Sequence, residues 1–524
     1  MKNVSFVIIL SISLIYCVKS TAQKLTAWGD QGNGTYINPI LNADYSDPDV
    51  IRVQDKYYMV SSDFHYIGMQ VLESNDMVNW KIISQIYDCF DLPGWDENKH
   101  YGGGSWAPSI RYHAGKFWVY FCTPDEGLFM SNAEDPAGPW SKLVQVKAVS
   151  KWEDPCPFWD DDGQAYLGRS QWGAGPIILH KMNPEGTQLL DEGKVIYTGP
   201  VAEGTKFMKK DGYYYLIIPE GGVSTGWQTV LRSKNIYGPY EKKVALEQGI
   251  TDINGPHQGA LVDTPEGEWW FFHFQQTEPL GRVVLLQPVY WKDGWPCIGV
   301  DRDMNGIGEP VRVWTKPNVG KIFPVTLPQT DDDFSSSKLG LQWQFNHNPV
   351  NEAWSLTEKK GYLTFHALKA DSLRNARNTL TQKSMGYIGE AVVRMDIRDL
   401  AEGQRAGLCC MSNLFNGVGV LRENGKNFLY LEKNGAIEKI RPITEKEIYL
   451  KVSLDAIANK HQLYYSADNK NFTPCGDAYS LKFGFWKGSR IGLFSYNTLN
   501  ESGKVYFSRF RYKHDGGTFF ASCQ

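Results

Sequence analysis

The chain has no CxxC pair, and its nine cysteines show no metal-ligand spacing. That excludes a zinc site built on paired ligands. Cys89, Cys122, Cys156, Cys297, Cys409, Cys410, Cys475 and Cys523 read as small buried apolar side chains, with pairing left open for an exported chain. Long helical periodicity is missing too, which excludes bundles and helical solenoids. Positive charge is in deficit: 54 Lys and Arg face 58 Asp and Glu, for a formal net charge of −4. Nothing basic is left to attract nucleic acid. There is a single long hydrophobic run, MKNVSFVIILSISLIYCVKSTAQ, at the start. With Lys2 ahead and Ser20-Thr21-Ala22 behind, it reads as a signal peptide over residues 1–22, too short for a membrane span. Its removal takes two lysines and moves the charge to −6. Lipid anchoring at Cys17 wants a small residue where Tyr16 stands, so the expectation is soluble export, periplasmic or secreted.

What the chain does have is a repeat. SDPDVIRVQDKYYMVSS, from Ser46 to Ser62, opens on a polar cluster, alternates apolar residues, turns at Gln54-Asp55-Lys56 and ends in an aromatic run. This is a hairpin pattern. It returns as WAPSIRYHAGKFWVYF, DPCPFWDDDGQAYL, EGTKFMKKDGYYYLII and HQGALVDTPEGEWWFFHF, led by Trp106, Asp154, Glu203 and His257. A period of about 50 residues with several short strands per unit is the signature of propeller blades. VLESNDMVNW, LFMSNAEDPAGPW and VLRSKNIYGPY follow three of the hairpins as further strands. The fold expected is all-β: a five-bladed propeller over residues 23–325, closed by PLGRVVLLQPVYWKDGWPCIG. After the polar stretch FPVTLPQTDDDFSSSKLG, short alternating segments such as IYLKVSLD and RIGLFSYN predict a β-sandwich over residues 326–524.

Each leader starts an innermost strand, so Asp47, Trp106, Asp154, Glu203 and His257 should converge at one end of the axis. One Asp-Pro alone would read as a turn cap. Three acids at matching repeat positions read as function, because like charges at close range push their proton affinities apart. Glycosidic hydrolysis needs that split between an acid and a base.

With NPILNADYSDPDVIRV, EDPCPFW, AEGTKF and GPHQGALV, the chain resembles glycoside hydrolase family 43, five-bladed propellers acting as β-xylosidases and α-L-arabinofuranosidases, many with a concanavalin-like sandwich. The resemblance implies inversion, with Asp47 as general base, Glu203 as general acid, and Asp154 orienting that acid and modulating its pKa by repulsion. It implies Arg282 as a substrate-binding clamp and His257 beneath the pocket, among the substrate-binding residues. Trp106, the leader of the one blade without an ionisable leader, is expected to wall the pocket by stacking on the sugar, with blade packing the alternative. His257 would either hold a structural calcium ion through waters or simply hydrogen-bond. No cofactor is otherwise required. Phe485 and Trp486 are expected to close one side of the pocket from the sandwich, and Glu220 to be structural. The partner is an oligosaccharide. The variant text Glu203-Gly204-Thr205-Lys206, where many xylosidases of the family have Glu-Ala-Pro-His, favours terminal α-L-arabinofuranose, with β-D-xylose the alternative. Retaining fructosidases differ in their opening text, which is Ser46-Asp47-Pro48-Asp49 here. A non-catalytic sugar-binding propeller would have lost a carboxylate, and all three are present.

Overall fold

A computed structural model describes residues 27–97 and 100–517. The expected signal peptide with Cys17, and Cys523, lie outside the described residues. Five four-stranded antiparallel sheets follow one another along the chain. Their innermost strands are Asp49–Val53, Trp106–His113, Trp152–Trp159, Lys206–Lys210 and His257–Asp263. The hairpin turns fall where the sequence places them. Ala114-Gly115 and Asp211-Gly212 carry positive φ at both positions, the geometry that matches the twist of paired strands.

Aromatic and branched side chains between neighbouring sheets hold the ring together. Tyr58, Val71, Phe117 and Phe121 fill the gap between blades one and two. Tyr120, Leu167 and Met182 fill the next, then Phe207 and Ile218, then Tyr215, Val230 and Phe271. The ring closes by backbone pairing, since the chain before blade one lies along the third strand of blade five. Leu41 bridges Val284, and Tyr45 N donates to Arg282 O at 3.0 Å. This contact brings Arg282 beside Asp47.

Beyond the propeller, two large sheets face each other as a sandwich. Strand Glu447–Asp455 alternates buried and half-buried residues along its whole length, the period-2 pattern of a sheet with one face in a core. Among the described residues the cysteines are all free.

One core runs from propeller into sandwich, joining Ala43, Tyr45 and Ile67 to Trp343, Phe345 and Met385. Within the same junction lie Asp44, Asp63, Lys383, Lys487 and Arg490, all buried. Lys383 Nζ donates to Asp44 O at 2.6 Å. Arg490 donates to Gln344 Oε1 at 2.7 Å, and Gln344 Nε2 donates in turn to Asp63. Burial lowers the pKa of Lys487 to about 7 and that of Arg490 to about 10. Buried charges are costly unless every partner stays in place. We therefore expect Lys383→Met to lower the unfolding free energy by about 3 kcal/mol, read by denaturant titration. We also expect a chain ending at Pro328 to be insoluble or inactive.

Candidate active site

Each inner strand carries a left-handed residue within its first three positions or just ahead of it: Asp47 (φ 53°), Ala107 (36°), Asp154 (56°), Gly204 (61°) and Gln258 (39°). Strand pairing shifts register just there, between Trp106 and Ser109, Glu153 and Cys156, and His257 and Gly259. In a regular strand two successive side chains point to opposite faces. The irregular start instead turns both into the axial pocket, which is lined by Trp106 with Ala107, Glu153 with Asp154, and His257 with Gln258.

This corrects the alignment expected from sequence. Matched on the left-handed residue, Asp47 and Asp154 occupy one repeat position, while Trp106, Glu203 and His257 occupy the position before it. The blade-three counterpart of Glu203 is therefore Glu153. The sequence reading passed over it because Asp154-Pro155 was matched to Asp47-Pro48. Its signal was in plain text, as Glu153-Asp154 beside Glu203-Gly204.

Asp47 is buried and held from several sides. Arg282 Nη1 lies 3.0 Å from its Oδ1 and 3.3 Å from its Oδ2. Ser46 and Ser62 donate to Oδ2 at 3.0 and 2.5 Å. Arg282 is itself placed by backbone donation from its N–H to Asp44 Oδ1 at 3.0 Å. Its guanidinium sits 4.7 Å from the Phe274 ring centroid, 5.6 Å from Phe483 and 5.8 Å from Trp486. Phe483, a sandwich residue, had no signal in the sequence.

Across the pocket, carboxylate oxygens of Glu153, Asp154 and Glu203 lie within 4.8 Å of one another. Asp154 accepts from Ser170 Oγ, from Gly204 N at 2.8 Å and from Gln258 Nε2 at 3.2 Å. Burial, and then the charge of Glu203, raises its pKa to about 6. Glu153 is pushed up to about 9, first by burial and then by Asp154 and Glu203. Glu203 Oε1 meets His257 Nε2 at 2.7 Å. No other described group donates to that carboxylate, so its second oxygen is open to the pocket.

His257 Nδ1 is buried with no partner among the described residues. That orphaned nitrogen fits a calcium ion held through a water, as it fits a water alone; it offers no oxygen for direct ligation.

The walls are aromatic. Trp106 packs edge-on against Trp172, centroids 5.8 Å apart, and against Trp486 at 5.6 Å, with Phe64 at 5.8 Å. Trp172 and Trp486 remain 47% and 43% exposed and frame the mouth. Trp486 stands at a two-residue turn closed by hydrogen bonds between Gly484 and Lys487 at 3.0 and 3.1 Å. Both turn residues, Phe485 (φ 54°) and Trp486 (φ 59°), are left-handed, a strained choice for large side chains.

Phe485 does not line the pocket. It turns away into a cluster with Tyr101 and Phe415, at 5.2 and 6.3 Å, because a turn directs its two tip side chains differently. Glu220 is structural, fully buried and bound by Tyr197 at 2.7 Å, Thr229 at 2.5 Å and Lys242 at 2.7 Å.

The proximity of Asp154 to Glu203 makes a checkable statement. In Glu203→Gln the Asp154 carboxyl should titrate lower than in the wild-type protein, because a like charge that raises it is gone while burial remains. Carbon-13 titration of labelled aspartate reads this directly; an unmoved value would assign the shift to burial alone.

Comparison with known proteins agrees with this geometry. Residues 36–296 match the model of Glycosyl hydrolases family 43, and residues 331–513 match that of the Beta xylosidase C-terminal Concanavalin A-like domain. A Xylanibacter ruminicola protein named "Putative beta-xylosidase" is 59% identical over 89% of this chain and 87% of its own. A Formosa agariphila "Beta-xylosidase" is 40% identical over 94% and 92%. A Bacteroides ovatus "Non-reducing end alpha-L-arabinofuranosidase" is 31% identical over 86% and 85%. The crystal structure of the GH43 BlXynB protein from Bacillus licheniformis superposes with a TM-score of 0.80 at 29% identity, covering 91% of this chain and 99% of that one. With the family model spanning the propeller and relatives 59% and 40% identical over most of their length, the protein is a glycosidase, and the chain belongs to glycoside hydrolase family 43.

Proposed function

We propose that the protein is an exported, inverting exo-glycosidase that releases terminal β-D-xylose from xylan-type oligosaccharides. One observation carries the exo reading: the acids sit in a pocket of about 320 Å³, at the small end of the roughly 300–1,000 Å³ of ligand sites, and Trp486 of the sandwich walls one side. Such a pocket takes a chain end, one sugar deep.

The choice of sugar rests on the relatives' names and on Lys206. The variant text that favours arabinofuranose does not reach the pocket. Lys206 is buried, with its Nζ donating to Pro108 O and Ser109 Oγ, both at 3.1 Å, and Thr205 is fully buried. The α-L-arabinofuranosidase reading stays second, supported by the Bacteroides ovatus relative.

In this reading Asp47 takes a proton from water as that water attacks the anomeric carbon. Glu203 delivers a proton to the departing glycosidic oxygen through the carboxyl oxygen that His257 leaves open. No covalent sugar intermediate forms, and the product keeps the opposite anomeric configuration. Arg282 fixes the base and reaches sugar hydroxyls. No cofactor takes part in these steps; a calcium ion under His257 would lend charge to orient the imidazole.

Nitrophenyl β-xyloside should be cleaved at least tenfold faster, in kcat/KM, than nitrophenyl α-arabinofuranoside, and proton NMR should show α-xylose forming first. The reverse preference would establish the second reading. Asp47→Asn should lose at least 10²-fold in kcat while still folding, since asparagine tolerates the left-handed backbone at this position. Its Tm should fall, because buried Arg282 loses the carboxylate it pairs with at 3.0 Å. Dinitrophenyl β-xyloside, whose leaving group needs no proton, should largely rescue Glu203→Ala and leave Asp47→Asn inactive. Equal rescue of both would show that the two acids do not divide the work this way.

A further inference from the structure

We infer that Glu153 is a specificity-determining residue whose carboxyl hydrogen-bonds a hydroxyl of the leaving sugar beside the scissile bond. The inference rests on the proposed glycosidase reaction.

Its first support is the repeat. Glu153 holds in blade three the position that Glu203 holds in blade four, immediately before the left-handed residue. Equivalent positions in a propeller stand at equivalent depth along the axis, so Glu153 lies at the level where Glu203 meets the glycosidic oxygen. The 4.8 Å limit on the separations of their carboxyl oxygens agrees.

Its second support is direction. Around a ring of five blades, blade three stands opposite the junction of five and one. Arg282 and Asp47 occupy that junction, paired at 3.0 Å. An inverting displacement brings water in from the Asp47 side and expels the leaving group on the opposite face of the anomeric carbon. The expelled sugar therefore departs toward Glu153 and the adjoining Trp172, whose half-exposed ring frames the mouth.

Its third support is chemistry. Glu153 is 7% exposed, no cation pairs with it among the described residues, and among them its carboxyl accepts only one long hydrogen bond, 3.5 Å from Ala174 N to Oε1. A buried carboxyl so placed is costly as an anion, and burial with the neighbouring Asp154 and Glu203 pushes its pKa up, favouring the protonated form. A neutral carboxyl offers one donor and an acceptor, the pairing that suits a sugar hydroxyl. Sites built to meet a hydroxyl discriminate strongly against partners lacking one.

The test compares two substrates with the same terminal sugar. Xylobiose leaves as xylose, with hydroxyls; 4-nitrophenyl β-xyloside leaves as a phenol, with none near the bond. Glu153→Leu should lose kcat/KM on xylobiose at least tenfold more than on the nitrophenyl substrate. Glu153→Gln, which keeps a donor and an acceptor, should restore most of the xylobiose rate. Equal losses on the two substrates would overturn the inference, making Glu153 a support for Glu203 or for the Ala174 loop alone. No loss on either would overturn it as well. Should Glu153→Leu be too unstable to purify, Glu153→Ala carries the same comparison. Wild-type protein inactive on both substrates would overturn the xylosidase reading beneath it, a result distinct from the others.

Discussion

The pocket depends on a backbone constraint: five times, the chain crosses into the left-handed region just as it reaches the axis. A regular strand would offer the axis every second side chain, leaving too few groups to build a site. In blades two, three and five the twist delivers two in succession, and with Asp47 and Glu203 from the other two blades these supply most of the chemistry. The residues that bear the constraint differ in cost. Aspartate tolerates it through its short polar side chain, and Asp47 and Asp154 both stand there. Gly204 is required on a second count, since a Cβ would lie 2.5 Å from Pro219 Cδ. Ala107 and Gln258 have no such excuse; their strain is held by the surrounding blades, in keeping with a functional site.

The sandwich acts on this site through a short hairpin. Gly488 N donates to Asp44 at 3.0 Å, Ser489 N to Pro279 O at 2.8 Å, and Lys487 Nζ lies 3.1 Å from His65 Nδ1. These ties fix Trp486 against Trp106 and the Arg282 guanidinium. Since Arg282 also grips Asp47, the position of that carboxylate is set from both domains at once. The buried cations at the junction are thus part of the site's framework, though none of them lines the pocket.

Much of this could be read in the sequence, because repetition amplifies weak signals. One hairpin pattern is ambiguous; five in register specify a ring, its axis and the acids at one end. The turns were legible at Ala114-Gly115 and Asp211-Gly212 because their chemistry is local. Glu153 was missed for a nearby reason: a one-residue offset between Asp-Pro and Glu-Gly starts is invisible until φ is known. Trp172 and Phe64 lie in loops between strands, where no period places them. Phe483 reaches the Arg282 guanidinium only by the docking of a second domain, and nothing local marks it. For the same reason Phe485 and Trp486, adjacent in sequence, could not be told apart, though the turn sends one to the pocket and the other into the sandwich.

The wall that Trp486 and its hairpin build has a kinetic meaning. A pocket stopped on one side cannot let a polysaccharide slide through it. Each freed monosaccharide must back out through the opening by which the chain came in before a new end can dock. Catalysis on a long chain is then distributive, one encounter for each bond, and accumulated sugar becomes a competitor for the same berth. The hairpin that confines the reaction to chain ends thereby makes turnover answer to product concentration.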